Sequence, residues 1–537
     1  GKSTLLTDGG RTRNASVSWA DSGAKFAYTS TKRNGTDFDI YVMDPHDPKT
    51  GRMAMEAKGS WSPSTWSPDE THLLVQHYVS VNESYLFVLD PSTGDLKEIN
   101  PTNGQKKIAY GDAAYARTGN GVYYTSDEDS EFLRLTYYDV KTGGKTVLTP
   151  RVKWNVEAMA VSRDGKWLAF SVNEGGVSRL YIAPTAAPEK TKLIDLPKGV
   201  LSGLEFDYQS ARLGFSLSTS QSPSDIFSVD VKTGKLEQWT MSETGGLNPD
   251  SFVTPELISY PTFDSVSSGE IDPKLGIKGA ARMIPAFYYK PRDGSKKPFP
   301  VIVNIHGGPE GQATASFSST FQYWVNELGA AVLAPNVRGS TGYGKTYSEL
   351  DNGMKREDTL KDIGKLLDWI ATRPELDSRR IAVIGGSYGG FMSLSTLAHF
   401  SDRLRCGVDV VGISNFITFL ESTESYRRDL RRAEYGDERD PKMREFLNSI
   451  SPTTNAGKIT VPLFVVAGSN DPRVPASEAE QMVKAARSHQ DQVWYLLAKD
   501  EGHGFQKKGN RDFYLNAVSL FFEMYLLKPI PSASAPQ

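Results

Sequence analysis

The chain has 537 residues, 61 of them Lys or Arg and 64 Asp or Glu, for a formal net charge of −3, with 38% hydrophobic and 11% aromatic residues. That length exceeds one comfortable core and predicts two or more domains, while the near-neutral charge argues against a general nucleic-acid surface. The single cysteine, Cys406, excludes an intrachain disulfide and a multi-cysteine metal site, and no run reaches the roughly 18 apolar residues of a membrane span.

The first 240 residues carry a repeat. Its anchors are Trp19-Ala-Asp-Ser-Gly23, Trp66-Ser-Pro-Asp-Glu70, Tyr115-Ala-Arg-Thr-Gly119, Val161-Ser-Arg-Asp-Gly165 and Phe206-Asp-Tyr-Gln-Ser210, spaced by 47, 49, 46 and 45 residues. A short strand pattern follows each anchor (25–30, 72–77, 121–126, 166–171, 212–217), and a second one follows that (39–43, 85–89, 134–138, 179–182, 225–229). Next comes a turn, often Thr-Gly (Thr93-Gly94, Thr142-Gly143, Thr233-Gly234), and a closing strand such as Lys145 to Leu148. Four short strands in about 45 residues make one β-propeller blade, so residues 1–245 are predicted to be a propeller with five clear blades. The opening residues Gly1 to Thr7 resemble the closing strand at Gly144 to Thr149, which predicts a further blade and an N-terminally shortened chain.

Residues 241–260 read as a Pro- and Ser-spotted connector. Beyond it the pattern alternates: strands at 286–290 and 301–305, a helix through 321–328, a strand at 331–335, and a helix at 358–372 with Leu360, Ile363, Leu366, Leu367 and Ile370 on one face. Strands alternating with helices predict an α/β domain over 246–530, a mostly parallel sheet covered on both faces. The Pro/Ser/Ala-rich end, 531–537, reads as a disordered tail.

Chemistry-bearing residues sit at the ends of the strand patterns. Ser387 lies in Gly385-Gly-Ser-Tyr-Gly-Gly390, after the apolar run Ile381 to Val383 and before a helical pattern at 391–400. A Gly-x-Ser-x-Gly element there holds the serine at a sharp strand-to-helix turn, and the helix N-terminus brings backbone N–H groups beside it. Asp471 follows the strand pattern 462–467, and His503, in Gly502-His-Gly-Phe505, follows 493–497. The chain order Ser, Asp, His is that of the α/β-hydrolase triad. Upstream, the strand 301–305 runs into His306-Gly307-Gly308-Pro309, a loop type that supplies a second backbone donor to an oxyanion. Asp500 and Glu501 are rival carboxylates for His503, and Asp471 has a bland alternative as a helix cap. His306 is expected to shape its loop without taking a proton, and His399 to pack or cap.

With these motifs and the repeats together, the chain resembles the prolyl oligopeptidase family of serine peptidases, nearest its acylaminoacyl-peptidase and related bacterial branch. The residues that carry the likeness are His306 to Pro309, Asn336-Val-Arg-Gly-Ser-Thr-Gly-Tyr-Gly344, Gly385 to Gly390, Asn470-Asp-Pro-Arg-Val-Pro475 and Gly502 to Phe505. The resemblance implies a peptidase for short peptides, with the propeller covering the catalytic site. It implies an oxyanion hole from the backbone N–H groups of Tyr388 and of Gly307 or Gly308. Arg473 matches an arginine that binds a substrate carbonyl in some members; a surface salt bridge is the alternative. His306 departs from prolyl oligopeptidases proper, which carry a tyrosine there. No glutamate pair matches the amine anchor of dipeptidyl peptidases, and Glu128 and Glu131 read as a solvated loop. The stretch 416–440 reads as a charge-laced helical surface, or alternatively as a source of specificity-pocket residues Phe416, Phe419 and Tyr426.

The expected reaction is acyl transfer through Ser387, His503 and Asp471, without a metal or organic cofactor. An esterase using the same triad, and a propeller-based binding protein with a silent hydrolase domain, are the competing readings. Short peptides are the expected partners, without nucleic acid. Homo-oligomerisation is open, as is the compartment: periplasmic or secreted, alternatively cytoplasmic.

Overall fold

The five anchors become one backbone device repeated five times. Within each, the last residue returns its N–H to the carbonyl three positions back: Gly23 to Ala20, Glu70 to Ser67, Gly119 to Ala116, Gly165 to Ser162 and Ser210 to Asp207, at 2.8–3.0 Å. All five last residues have left-handed backbones, with φ of 72, 58, 72, 69 and 57°. Three are glycine, which adopts this region freely; Glu70 and Ser210 adopt it against their side chains.

The structure, a computed structural model, describes residues 3–10, 12–101, 106–266, 279–292 and 298–528. Each anchor turn joins the first two strands of an antiparallel four-stranded sheet. The sheets are Asn14–Trp19 to Asp47–Met55, Ser60–Trp66 to Leu96–Glu98, Tyr110–Tyr115 to Lys145–Val147, Asn155–Val161 to Lys192–Ile194, and Gly199–Phe206 to Leu236–Gln238, each with its strands in chain order. The first strand of each sheet lies beside the first strand of the next.

Strand alternation builds the cores between sheets. Leu73 and Val75 pack with Ala27, Ile40 and Val42 of the sheet before, whereas Leu74 turns to Tyr110, Val122 and Tyr124 of the sheet after. Tyr123 and Leu168 share a third cluster, and Ala169 with Leu213 and Phe215 a fourth. Successive residues of a strand point to opposite faces, so one strand serves two interfaces. What is observed is an all-β domain of five small sheets.

Two expectations fail. Residues 3–7 form no strand; Leu5 is exposed and Leu6 packs on the cluster of Phe26, Tyr28, Tyr41 and Met43. The connector 241–260 ends inside a strand, Glu256–Ser265, whose Tyr260 is fully buried. Proline is tolerated in strands chiefly at a sheet edge, and this strand, which contains Pro261, is at the edge. Gly1, Lys2 and the tail 529–537 lie outside the described residues.

That edge strand opens an eight-stranded sheet: β1 (Glu256–Ser265), β2 (Ala281–Tyr289), β3 (Phe299–Ile305), β4 (Ala331–Pro335), β5 (Leu376–Gly386), β6 (Cys406–Val410), β7 (Leu463–Gly468) and β8 (Val493–Ala498). Their spatial order is β1-β2-β4-β3-β5-β6-β7-β8. β1 and β2 pair antiparallel, as do β2 and β4, and every later pair is parallel. Buried on both faces, the parallel strands read as continuous apolar runs: Val301, Ile302 and Val303 are wholly buried, as are Leu463, Val465 and Val466. Helices α1 (Ser319–Asn326), α2 (Asp358–Ala371) and α3 (Tyr388–His399) follow β3, β4 and β5. The α2 stripe Leu360, Ile363, Leu366, Leu367 and Ile370 is buried as its spacing predicts. This is the α/β-hydrolase part of the chain.

The chain divides into two compact units. Gly342–Lys345 and Ser425–Ala433 group with the first, Gly1–Glu243, and the remainder forms the second. Among the described residues no helix is long and apolar enough to cross a membrane.

The repeat turn gives a test. A Cβ on Gly119 would meet nothing within 4 Å, so Gly119→Ala isolates the cost of the left-handed backbone, about 1 kcal/mol. Gly119→Asn is expected to cost less, since asparagine visits this region more readily. Urea unfolding of the three proteins measures both.

Candidate active site

At the end of β5 the chain turns from strand to helix within one residue. Ser387 takes φ 59° and ψ −120°, a region that costs a non-glycine residue on the order of 1–3 kcal/mol. The surroundings hold it there. Ser387 N–H donates to Val410 O on β6 at 2.9 Å, and Ser387 O accepts from Gly390 N at 2.9 Å and Phe391 N at 3.2 Å. Space dictates the neighbouring glycines: a Cβ on Gly389 would lie 2.1 Å from Ile305 O, and one on Gly385 2.2 Å from Gly389 O. The helix starts at Tyr388, three residues before its apolar pattern, because Gly389 and Gly390 are set by close approach to their neighbours and carry no apolar side chain.

The loop after β3 comes to the same place. A Cβ on Gly307 would stand 3.4 Å from Ser387 Cβ and 3.0 Å from Gly386 O. The His306 ring bonds Ser340 Oγ and Gly307 O, each at 2.9 Å, and its burial pushes its pKa down. A ring so occupied shapes the loop. His399, at the far end of α3, bonds Ser395 O at 3.0 Å, a capping contact.

The loops after β7 and β8 meet in a second place. Asn470 N–H donates to Glu501 O at 2.9 Å, and a Cβ on Gly468 would be 2.3 Å from Gly502 O. The approach brings His503 Nδ1 to 2.6 Å from Asp471 Oδ2. Asp471 Oδ1 accepts the N–H groups of Arg473 at 2.8 Å and Val474 at 3.0 Å. The Asp471 side chain is wholly covered, while that of His503 keeps 13% of its surface exposed. A carboxylate only accepts, so Nδ1 carries the proton and Nε2 is left as the basic nitrogen. The rivals are engaged elsewhere. Glu501 accepts from the Gln506 and Lys507 backbones and from Asn510, and Asp500 holds Lys507 and Asn510.

The remaining candidates separate. Arg473 is exposed and, among the described residues, makes no salt bridge; its carbonyl accepts from Thr423. Phe416 and Phe419 are 0% and 2% exposed and pack with Phe391 and Tyr435. They are core and offer no surface to a ligand. Tyr426 is edge-on to Phe38 at 5.7 Å beneath Arg13, inside the first unit. The stretch 416–440 is therefore not simply a charged surface, since Glu434 and Tyr435 are buried.

Glu434 belongs to a polar cluster that sequence reading missed. Arg356, fully buried, bonds Asp351, the Glu434 carbonyl at 2.8 Å and the Tyr388 hydroxyl at 3.3 Å. Its local sequence, Lys355-Arg-Glu-Asp358, looks like any solvated turn, so no signal distinguished it.

A model described as the prolyl oligopeptidase family matches residues 315–528, and one described as the dipeptidyl peptidase IV N-terminal region matches residues 11–224. The chain is 28% identical over 406 residues to dipeptidyl aminopeptidase BIII of Pseudoxanthomonas mexicana, a match covering 75% of this chain and 57% of that protein. With dipeptidyl peptidase family member 6 of Caenorhabditis elegans it shares 36% identity over 217 residues, 40% of this chain and 29% of the other. The chain thus spans little more than half the length of the first of these relatives and less of the second. Among solved structures, puromycin hydrolase superposes with a TM-score of 0.83 at 20% identity, over 98% of this chain and 80% of its own, a likeness of fold. The chain carries a prolyl oligopeptidase family domain.

One buried acid under this site sets a pH dependence. Asp409 on β6, beside Gly385 in register and packed against Gly390 and Gly412, is wholly buried. Burial pushes its pKa from 3.8 up to about 7; the Gly412 amide opposes this and Glu478 adds to it. The folded protein therefore keeps a proton that the unfolded chain releases, so this residue's contribution falls as pH rises between about 4 and 7. In thermal melts from pH 5 to 8, Asp409→Asn is expected to gain stability relative to the parent as pH rises. A constant difference across that range would contradict the assignment.

Proposed function

We propose that this chain, with its prolyl oligopeptidase family domain, is a serine peptidase that hydrolyses short peptides through an acyl-enzyme. The observation that carries the reading is the 2.6 Å contact of His503 Nδ1 with Asp471 Oδ2, in a fold that holds Ser387 at a left-handed strand-to-helix turn. His503 Nε2 removes the Ser387 proton as Oγ attacks the peptide carbonyl. Backbone N–H groups of Tyr388 and of Gly307 or Gly308 stabilise the oxyanion. His503 then passes the proton to the leaving amine, and water repeats the cycle on the ester. Asp471, anchored by two loop amides, orients the imidazole and stabilises its cation. Arg473, exposed and without an ion pair among the described residues, binds a substrate carbonyl.

In the same reading, residues 1–245 are a propeller, 246–530 the catalytic domain, and the five sheets are blades that restrict entry to short peptides. The succession of first strands and the single repeated turn support the blades. The similarity to dipeptidyl aminopeptidases supports peptide bonds as the target, over the small acyl esters of an esterase or a silent binding domain.

Ser387→Ala is expected to abolish both turnover and fluorophosphonate labelling, and Asp471→Asn to lower kcat by about four orders of magnitude. Labelling that persists in Ser387→Ala would place the nucleophile elsewhere. A panel of peptide amides run beside p-nitrophenyl esters separates the chemistries: an esterase leaves every amide intact. Arg473→Ala is expected to raise KM for peptides several-fold with kcat changed by less than about twofold, the mark of lost ground-state binding.

A further inference from the structure

Tyr435 touches both halves of the oxyanion hole proposed above. Its hydroxyl donates to the Gly308 carbonyl oxygen at 2.7 Å. Its ring lies nearly parallel to that of Tyr388, with centroids 5.9 Å apart at 18°. The residue is 2% exposed, and Phe416 and Phe419 pack its ring at 5.3 and 6.1 Å. The Arg356 guanidinium sits over both tyrosines, 5.3 Å from the Tyr388 ring and 5.0 Å from that of Tyr435, and is itself tied to Asp351 and the Glu434 carbonyl.

Gly308 is where such a tie has most effect. Its φ of 129° is open to glycine and to few other residues, so no side chain of its own restricts the loop. A hydrogen bond to its carbonyl anchors the Gly308–Pro309 peptide, the unit next to the Gly307–Gly308 plane that carries the Gly308 N–H. On the other side, the tightness of Gly307 against Gly386 and Ser387 sets how near the loop approaches. An oxyanion hole stabilises charge only when its donors converge on one point at about 2.7–3.1 Å, so the register of the loop against α3 has direct chemical effect.

We infer that Tyr435 is a positioning residue that holds the 306–309 loop in register with the first turn of α3, so that both backbone donors face the same oxyanion. The inference rests on the reading of Ser387 as the nucleophile. Tyr435 acts through the backbone of Gly308 and the ring of Tyr388.

Tyr435→Phe keeps the ring and removes one oxygen. Activity is expressed per mole of enzyme titrated at Ser387 with a fluorophosphonate, so misfolded protein does not enter. The expected result is a fall in kcat on a peptide amide of about 10- to 100-fold, with KM within about twofold. Affinity for a peptide aldehyde, whose hemiacetal oxygen occupies the hole, falls in parallel, while affinity for the cleaved peptide product is unchanged. Thr359→Val deletes another hydroxyl of the same buried cluster, one that bonds Arg356 O and meets the Tyr388 hydroxyl at 3.4 Å but leaves the Gly308 carbonyl and the Tyr388 backbone untouched, and is expected to keep kcat. Unchanged kcat and aldehyde affinity in Tyr435→Phe overturn the positioning role, as does a rise in KM alone or an equal loss in Thr359→Val. Full activity in Ser387→Ala would instead overturn the underlying site reading, so the two failures are distinct.

Discussion

The catalytic half of the molecule depends on one backbone conformation, the left-handed turn at Ser387 between β5 and α3. That turn is unfavourable for serine in isolation and persists because adjacent backbone crowds it from several sides. Ile305 O and Gly389 approach so closely that no side chain fits, and Val410 O takes the Ser387 amide. Parallel strands on either side of β5 are what bring those carbonyls to the elbow. The sheet order, the glycines and the strained residue are one arrangement.

A contrast in charge handling follows from depth. Around the elbow the protein buries ionisable groups outright: Arg356 with Asp351, and Asp409 beneath the first turn of α3. The Arg356 guanidinium pairs with Asp351 and hydrogen-bonds the Glu434 carbonyl and the Tyr388 hydroxyl, whereas burial without a cationic partner among the described residues pushes the Asp409 pKa up to about 7. Farther out, the Asp471 carboxylate is covered yet bonded by two amides and an imidazole. Each carboxyl group's chemistry is set by which donors reach it.

Some of this was readable in the linear order of residues. The elbow, the Ser-Asp-His order and the five anchor turns are local or periodic features, and glycine spacing reports them directly. The choice of Asp471 over Asp500 and Glu501 was less direct. All three lie in Gly-containing loops, and what separates them is that Glu501 and Asp500 are engaged by the segment after His503. Phe416 and Phe419 misled for a related reason. Aromatic residues beside a charged helix fit a pocket wall and a core equally well, and only their packing against Phe391 and Tyr435 decides for the core.

By itself the amino-acid order determined the repeat period, the strand-helix alternation and the residue types able to do acyl transfer, because these arise from neighbours within a few turns of chain. Tertiary structure alone decided which carboxylate meets His503, that Arg356 and Glu434 are buried, and that Tyr435 bridges Gly308 and Tyr388. Those contacts join segments tens to more than a hundred residues apart. Their partners carry no shared local pattern, so distance and burial become visible only once the sheet has set its strands side by side.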